Sequence, residues 1–177
     1  AAVTLNQDGS VQLQMGATEI GQGADTVFTQ MAAEAIGVDS EDVHIVSFQD
    51  TDVTPYDSGA YASRQTYVSG TAVKKAGEQL RSKILEFASY IYPNAQGTLD
   101  LHDHAIFDAV GDKVCNLDEL ALEAYYNMEH NDQLHGRATI NIHSNTIAVG
   151  CSFADVTVDM PLGQVTINKI INVQDSG

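Results

Sequence analysis

Two short segments rich in glycine and other small residues carry the groups that could do chemistry. The first is Gly21-Gln22-Gly23, which lies between a predicted strand and a predicted helix. Two glycines allow a backbone to approach an anion closely, and the first turn of a helix presents free N–H groups at the positive end of its dipole. The segment is therefore a candidate anion site, and the alternative interpretation is a tight turn before an ordinary helix.

This first segment differs from the common nucleotide-binding loops. A Rossmann fingerprint requires a third glycine where Thr26 stands, together with a β-α-β repeat, and the sequence has neither. A P-loop requires Gly-Lys followed by Ser or Thr, and this pattern is also absent from the sequence. A phosphate recognised here would be bound in some other way.

The second candidate segment, residues 58–66, leads into a long predicted helix. Its small residues leave backbone amides accessible, and Arg64 is the first positive charge in the chain. This combination suits a pyrophosphate or nucleotide group at a helix N-terminus. The alternative is a capping segment in which Thr66 or Ser69 caps the helix and Arg64 offsets nearby carboxylates. The residues that could contact a ligand are Ala62, Ser63, Arg64, Gln65 and Thr66.

Histidine and cysteine spacing offers no comparable site. His102 and His104 flank Asp103, but such a pair shares one face only on a strand, and the sequence offers no third ligand nearby. These histidines are interpreted as surface residues. Cys115 and Cys151 are too far apart for a CxxC redox or zinc site. No metal ligand is therefore assigned to a side chain.

Hydrophobic periodicity predicts the elements that position the two segments. Hairpins beside helices favour an α+β fold class over a doubly wound sheet, with two-layer α/β sandwich portions, hairpins and two main helices. The loop of residues 49–65 is long for a compact domain, which is typical of a functional loop. Strands are predicted at residues 2–5, 11–15, 43–48, 138–142, 147–158 and 165–173, and helices at residues 24–36, 73–91 and 117–126.

The connector at residues 94–98 is a candidate domain boundary. We therefore expect a unit of residues 1–92, which carries both candidate segments, and a smaller α+β unit of residues 93–177, which ends in antiparallel strands. A single domain is the alternative, since the length allows either arrangement.

The charge of the chain is strongly acidic and unevenly distributed. Lys plus Arg total 8 against 24 for Asp plus Glu, so the net charge is −16, and residues 1–63 hold ten carboxylates and no base. Such a chain would repel a phosphate backbone, which excludes nucleic acid as a partner. The sequence shows no bilayer-spanning apolar run and no signal peptide, so no membrane partner is expected. With only two cysteines, the expected compartment is the cytoplasm.

Three segments occur in a recognisable order: GATEIGQGADTVFTQMAAEAIGV, then a loop that ends in SGAYASRQTYVSGTAV, then CSFADVTVDMPLGQVTINKIINVQDSG. The Gly-Gln-Gly element preceded by Glu19, and Ser-Arg-Gln-Thr before a helix, are specific in combination. Together the segments resemble the molybdenum-binding region of the xanthine dehydrogenase family of molybdenum hydroxylases. The resemblance implies that the fold is part of a larger molybdopterin-binding subunit.

The resemblance implies a cofactor and its contacts. Gly21, Gln22 and Gly23 would contact the pyranopterin and its phosphate, and the five residues 62–66 would line the dinucleotide extension. The implied cofactor is molybdopterin with molybdenum held by its dithiolene, in the cytosine dinucleotide form that is common in bacterial members. Family members hydroxylate an sp² carbon of a purine, an N-heterocycle or an aldehyde with oxygen from water. Their electrons leave through iron–sulfur centres to FAD, which implies partner subunits or domains that carry these groups.

The resemblance also implies that the chain is one portion of a molybdenum subunit. The catalytic glutamate of the family would lie downstream of Gly177, and the substrate-contacting pieces upstream of Ala1. Glu19 does not match the catalytic position, so no catalytic residue is assigned and the isolated chain is expected to be inactive. The expected partners are the rest of the subunit, the iron–sulfur and FAD components, and a small heterocyclic substrate, as in purine catabolism. The alternative is a non-catalytic binding or assembly domain that keeps the fold without the cofactor.

Overall fold

The computed structural model of the chain describes residues 1–46, 48–129, 133–141, 144 and 146–175. It divides into two compact units, Ala1–His143 and Ser144–Gly177. Within the described residues, three α-helices are combined with small sheets of four, three and two strands. The predicted α+β class is therefore confirmed.

The elements follow the predicted order, with three additional strands between the second and third helices. Of the described helices, none is both long enough and apolar enough to cross a bilayer. In chain order the elements are β1 (Ala2–Leu5), β2 (Val11–Gln14), α1 (Ala24–Ile36), β3 (Val43–Val46), α2 (Gly70–Ile91), β4 (Asp100–His102), β5 (Ala105–Phe107), β6 (Lys113–Asn116), α3 (Leu117–Tyr126), β7 (His135–Arg137), β8 (Val149–Asp159) and β9 (Gln164–Asp175).

A four-stranded sheet with the order β3-β2-β1-β7 is the framework that carries both candidate segments. Its β2–β3 pair is parallel and its other two pairs are antiparallel. Val3 lies opposite Leu13 and Leu5 opposite Val11, and all four side chains are buried. A slip of one residue would turn these side chains to the other face, so the apolar alternation fixes the register.

The compact units do not divide at the boundary predicted after residue 92. Arg81 of α2 donates hydrogen bonds to the carbonyl oxygens of Ile36 (2.5 Å) and Leu101 (2.9 Å) and pairs with Asp100. The buried side chains of β4, β5, β6 and α3 join the same core as those of β1 and α1. Residues 93–143 therefore complete the core of the first unit.

The strand predicted at residues 138–142 lies earlier in the structure, as β7. Ala2 of β1 lies opposite Arg137 of β7, and beyond this pair Ala1 and Ala138 exchange two backbone hydrogen bonds of 3.0 Å. Residues 138–141 are not strand, and Ile142 lies outside the described residues.

The second unit contains a long hairpin of β8 and β9, as the sequence predicts. Its turn includes Gly163, which has φ +62°, and a register shift occurs between Asp155 and Val156. Ile170 and Ile171, which are neighbours on β9, are 56% and 45% exposed. Because adjacent strand residues point to opposite faces, apolar side chains are exposed on both faces of this hairpin.

Candidate functional site

Residues 18–23, which we term the Gly-Gln-Gly turn, lead directly into α1. Gly21 has φ +95° and Gly23, which immediately precedes the helix, has φ +81°. Glycine alone adopts this left-handed backbone without strain. A Cβ atom at either position would meet no atom within 4 Å. The glycines are thus required by the backbone, and their outer face is open to a ligand.

The carboxylate of Glu19 accepts hydrogen bonds from backbone amides of this turn and of the first turn of α1. Gly21 and Gly23 donate to Oε1 at 2.6 and 3.2 Å, and the Asp25 amide donates to Oε2 at 3.0 Å. The hydrogen bond from Asp25 and those from the two glycines outweigh desolvation and lower the pKa of Glu19. The lowered pKa makes Glu19 a weak base, whereas an effective general base has a pKa near the operating pH.

Residues 49–64, which we term the Asp57 loop, fold around a buried carboxylate. Oδ1 of Asp57 accepts hydrogen bonds from the Gly59 amide (2.9 Å) and from Nη1 of Arg64 (2.5 Å), and Oδ2 accepts one from the Ser69 hydroxyl (2.7 Å). Only 9% of the Asp57 side chain and 17% of the Arg64 side chain are exposed. Burial raises the pKa of Asp57, but the hydrogen bonds from Ser69, Gly59 and Arg64 prevail, so the pKa lies below its ordinary value.

Arg64 is held inside this loop. Its Nη1 also donates to the Gly59 carbonyl oxygen at 2.9 Å, and its guanidinium carbon lies 5.9 Å from the centre of the Tyr61 ring. The interpretation in which Arg64 offsets a nearby carboxylate therefore describes its contacts in the structure.

The start of the long helix differs from both predicted caps. A π-helical turn, Gln65–Ser69, precedes α2, and no side-chain hydrogen bond caps either element. The Ser69 hydroxyl is directed to Asp57, and Thr66 is exposed on the π-helical turn. Single π-helical turns of this kind are frequent at functional sites.

Ala62 and Ser63 are exposed and adopt left-handed backbone conformations, with φ of +52° and +54°. Outside glycine this conformation costs about 1–2 kcal/mol per residue. Strained residues of this kind concentrate at sites that bind ligands. The anchored side chain of Arg64 follows them directly and fixes the end of the strained segment.

The structure brings the two predicted segments together through a pair of glutamines. Nε2 of Gln22 lies 2.5 Å from Oε1 of Gln65, to which it donates a hydrogen bond. Both side-chain amides also donate to the carbonyl oxygen of Thr18, each at 3.0 Å. Gln65 is buried and Gln22 is exposed, so the inner glutamine supports the outer one.

A second junction lies at the opposite end of the Gly-Gln-Gly turn. A Cβ atom at Gly16 would lie 1.9 Å from the carbonyl oxygen of Pro55 and 2.8 Å from the amide nitrogen of Asp57. Gln49 donates a side-chain hydrogen bond of 2.8 Å to the carbonyl oxygen of Ala17. Close packing at Gly16 therefore sets the position of the Asp57 loop.

A cavity of about 260 Å³ adjoins the Asp57 loop, and its lining includes Asp57, Arg64, Ser69 and Arg137.

Sequence reasoning missed the acceptors that organise the site, among them Asp57 and the carbonyl oxygen of Thr18. Asp57 and Gly59 have the spacing of an Asx turn, a signal that could have identified the carboxylate. Across the described ranges, no group of three or more His, Cys, Asp or Glu side chains is placed to hold a metal ion.

The comparisons with known proteins agree on one kind of protein. The sequence model of the family described as the molybdopterin cofactor-binding domain matches residues 1–177. The chain is 45% identical over 179 residues to the putative xanthine dehydrogenase molybdenum-binding subunit XdhA of Escherichia coli (strain K12), covering 100% of the chain and 24% of that relative.

Solved structures are similar over nearly the whole chain. The crystal structure of Cu,Mo-CO dehydrogenase has a TM-score of 0.85 at 25% identity, covering 99% of this chain and 22% of that one. Quinoline 2-oxidoreductase from Pseudomonas putida 86 has a TM-score of 0.83 at 26% identity, with 99% and 23% covered. The chain thus spans less than a quarter of the length of each of these two structures.

Proposed function

The chain belongs to the molybdopterin cofactor-binding domain family and is homologous to oxidoreductases of the xanthine dehydrogenase family, and from this premise we propose that it forms the cofactor-binding portion of a molybdenum hydroxylase. One observation carries the proposal: a hydrogen bond of 2.5 Å between Gln22 and Gln65 joins the Gly-Gln-Gly turn to the π-helical turn that directly follows the Asp57 loop. Two loops that lie side by side can contact one extended ligand, whereas loops held apart could not. The proposed cofactor is molybdopterin in its cytosine dinucleotide form.

The exposure of the loop residues suggests two different roles in the proposed site. Most of the eight proposed contact residues are exposed, and the space above Gly21 and Gly23 is open. Arg64 and Gln65 are the more buried pair and would support the loops from behind. The eight proposed residues are Gly21, Gln22, Gly23, Ala62, Ser63, Arg64, Gln65 and Thr66.

When bound, the cofactor would supply the redox chemistry that hydroxylates an sp² carbon of a purine or N-heterocycle with oxygen from water. The residues of this chain bind and orient the cofactor. Glu19, the acidic residue of the Gly-Gln-Gly turn, is proposed to move no proton because three amides hold its carboxylate and lower its pKa, which makes it a weak base.

Turnover is proposed to need more polypeptide than this chain, which spans 24% of the length of XdhA. The proposed partners are the rest of the molybdenum subunit and the iron–sulfur and FAD subunits or domains. The isolated chain is proposed to be inactive, and turnover of a purine or nicotinate by it with an artificial electron acceptor would contradict this.

A second candidate function is a binding or assembly domain that keeps the fold without the cofactor. The observation that favours it is that the charged side chains of Glu19 and Arg64 already have partners within the chain. Glu19 already accepts the amides of the α1 N-terminus, and Arg64 is paired with Asp57. A ligand phosphate would therefore meet no free side-chain cation from these two loops.

The test uses the full-length molybdenum subunit that carries this chain. Gln22→Ala removes the bond between the loops, and we expect molybdenum and cytidine per polypeptide to fall about fivefold, the effect of one lost hydrogen bond near 1 kcal/mol. Metal analysis and chromatography of the released nucleotide measure both contents. Gln30→Ala, at an exposed position on α1, is the matched control and should leave both unchanged.

Arg64→Ala extends the same test to the Asp57 loop, with Lys74→Ala on the exposed face of α2 as its control. Unchanged stoichiometry in both loop variants would show that these loops do not hold the cofactor. A wild-type subunit that purifies without molybdenum or pterin would favour the assembly-domain alternative.

A further inference from the structure

We infer that Glu19 is a positioning residue of the cofactor site, whose carboxylate occupies the amides at the start of α1 and excludes a ligand phosphate from them. This inference rests on the proposed cofactor function. It departs from the simplest expectation for a glycine turn before a helix, which is that the helix N-terminus itself binds the anion.

The geometry of Glu19 accounts for the shape of the turn. Both carboxylate oxygens are used, Oε1 by the amides of Gly21 and Gly23 and Oε2 by that of Asp25. Gly23 occupies the N-cap position and has no side chain, and no side-chain hydrogen bond caps α1 in the usual way. Glu19 therefore caps the helix from four residues before the N-cap. The same three bonds hold both glycines in their left-handed conformation.

A phosphate at these amides would have to displace a carboxylate that already satisfies them. It would also place two like charges within a few ångströms of each other, which is unfavourable without a cation between them. Residues 1–63 contain no Lys or Arg. Arg64 is the first base in the chain, and it is paired with Asp57. The Gly-Gln-Gly turn therefore meets an uncharged part of its ligand, through the open face of Gly21 and Gly23.

The first experiment follows the amide resonances of Gly21, Gly23 and Asp25 by NMR in the 177-residue chain as the pH is lowered. In the wild type, the three should shift together in one titration with a pKa below that of an ordinary glutamate. In Glu19→Gln this common titration should vanish. In the control Glu34→Gln, which changes an exposed acid within α1, it should remain. If the common titration of the three amides survives in Glu19→Gln, the inference is overturned.

The second experiment measures the molybdenum and pterin content of the full-length subunit. Glu19→Gln should lower both about fivefold, which corresponds to the loss of one helix cap near 1 kcal/mol. Glu19→Asp keeps the charge and should retain more cofactor than Glu19→Gln, which a purely steric role would not predict. If the α1 amides held the phosphate, Glu19→Gln would remove a competitor and raise the content. A raised or unchanged content would overturn the inference.

The two experiments separate this inference from the proposed function. A wild-type subunit without molybdenum and pterin would refute the proposed function, and with it the positioning role. The amide titration would still decide whether Glu19 fills the helix N-terminus. Normal wild-type content with no effect of Glu19→Gln would refute the positioning role alone.

Discussion

The Gly-Gln-Gly turn and the Asp57 loop both fold around a carboxylate, but they neutralise it in different ways. Glu19 is solvated and is held by backbone amides no more than six residues away, at the N-terminus of α1. Asp57 is only partly exposed and is held by Arg64 and by Ser69, which is twelve residues away. A helix N-terminus can replace a cation for the short turn. In the longer Asp57 loop, Arg64, the first arginine of the chain, neutralises the carboxylate instead.

The sharpest way to break this contrast is Asp57→Asn, which leaves the Arg64 guanidinium buried without its counter-ion. Removing one partner of a buried pair costs about 3–5 kcal/mol, and because Arg64 is 17% exposed we expect about 3 kcal/mol of lost unfolding free energy. Urea denaturation measures the loss. The matched control is Glu78→Gln in the exposed pair with Lys74, where the N–O distance is 3.9 Å and a change of less than about 0.5 kcal/mol is expected.

The pH dependence of the Asp57 contribution has a definite sign. The folded-state pKa lies below the unfolded value of 3.8, so the stabilisation is fully present above that value and is lost as the pH falls through the folded pKa. The wild type should therefore lose stability more steeply than Asp57→Asn at the acid end. Parallel acid curves for the two proteins would show that Asp57 is not held as described.

The second prediction tests whether close packing, as well as charge, positions the Asp57 loop. In Gly16→Ala the added Cβ would lie 1.9 Å from the Pro55 carbonyl oxygen, so the loop must shift. We expect a loss of about 2 kcal/mol, within the range for overpacked sites. Thermal unfolding of the chain measures it. The control is Gly150→Ala, where the nearest atom would lie at an ordinary 3.4 Å, and equal losses in both variants would contradict the assignment.

The smallest predicted effect has the opposite sign and concerns backbone strain. Ala62→Gly should raise the unfolding free energy by about 0.5–1 kcal/mol, because the strain of about 1–2 kcal/mol relieved at φ +52° exceeds the cost of about 0.4–1 kcal/mol from the greater freedom of the unfolded chain. Ala60 is not among the described residues with positive φ, and Ala60→Gly should instead lower stability through the greater freedom of the unfolded chain. Calorimetry of both variants gives the comparison. A destabilised Ala62→Gly would remove the argument that this segment stores strain.

The same two regions show how far sequence reasoning reaches. The Gly-Gln-Gly turn depends on local signals, and the predicted start of α1 near Ala24 and the cap at Gly37 are confirmed. The helix predicted at residues 117–126 is also confirmed as α3, and at its N-terminus Glu119 accepts a hydrogen bond from the Asn116 amide at 2.9 Å. In the Asp57 loop, the sequence identifies Arg64 as a candidate ligand contact but not its partner Asp57, which lies seven residues earlier and is recognised only from its contacts.

The middle of the chain was not predicted for a related reason. The strands β4, β5 and β6 have only three or four residues each, too few to show a clear alternation. Leu101 and Ile106 are buried in the same core as the apolar side chains of α2. Their burial therefore depends on α2 and is not apparent from their own short strands. Their position is fixed by tertiary packing and by Arg81, which donates to the carbonyl oxygen of Leu101.

The β8–β9 hairpin determines how the chain will behave during purification. In the part of the chain that the structure describes, its two strands pair only with each other, so no described strand covers the outer edge of either one. Long edges flanked by exposed apolar residues such as Ile170 and Ile171 template the addition of strands from other molecules. Four charged residues on the two strands, Asp155, Asp159, Lys169 and Asp175, oppose this pairing. We therefore expect preparations of the 177-residue chain alone to self-associate through this hairpin, which size-exclusion chromatography at increasing concentration would detect.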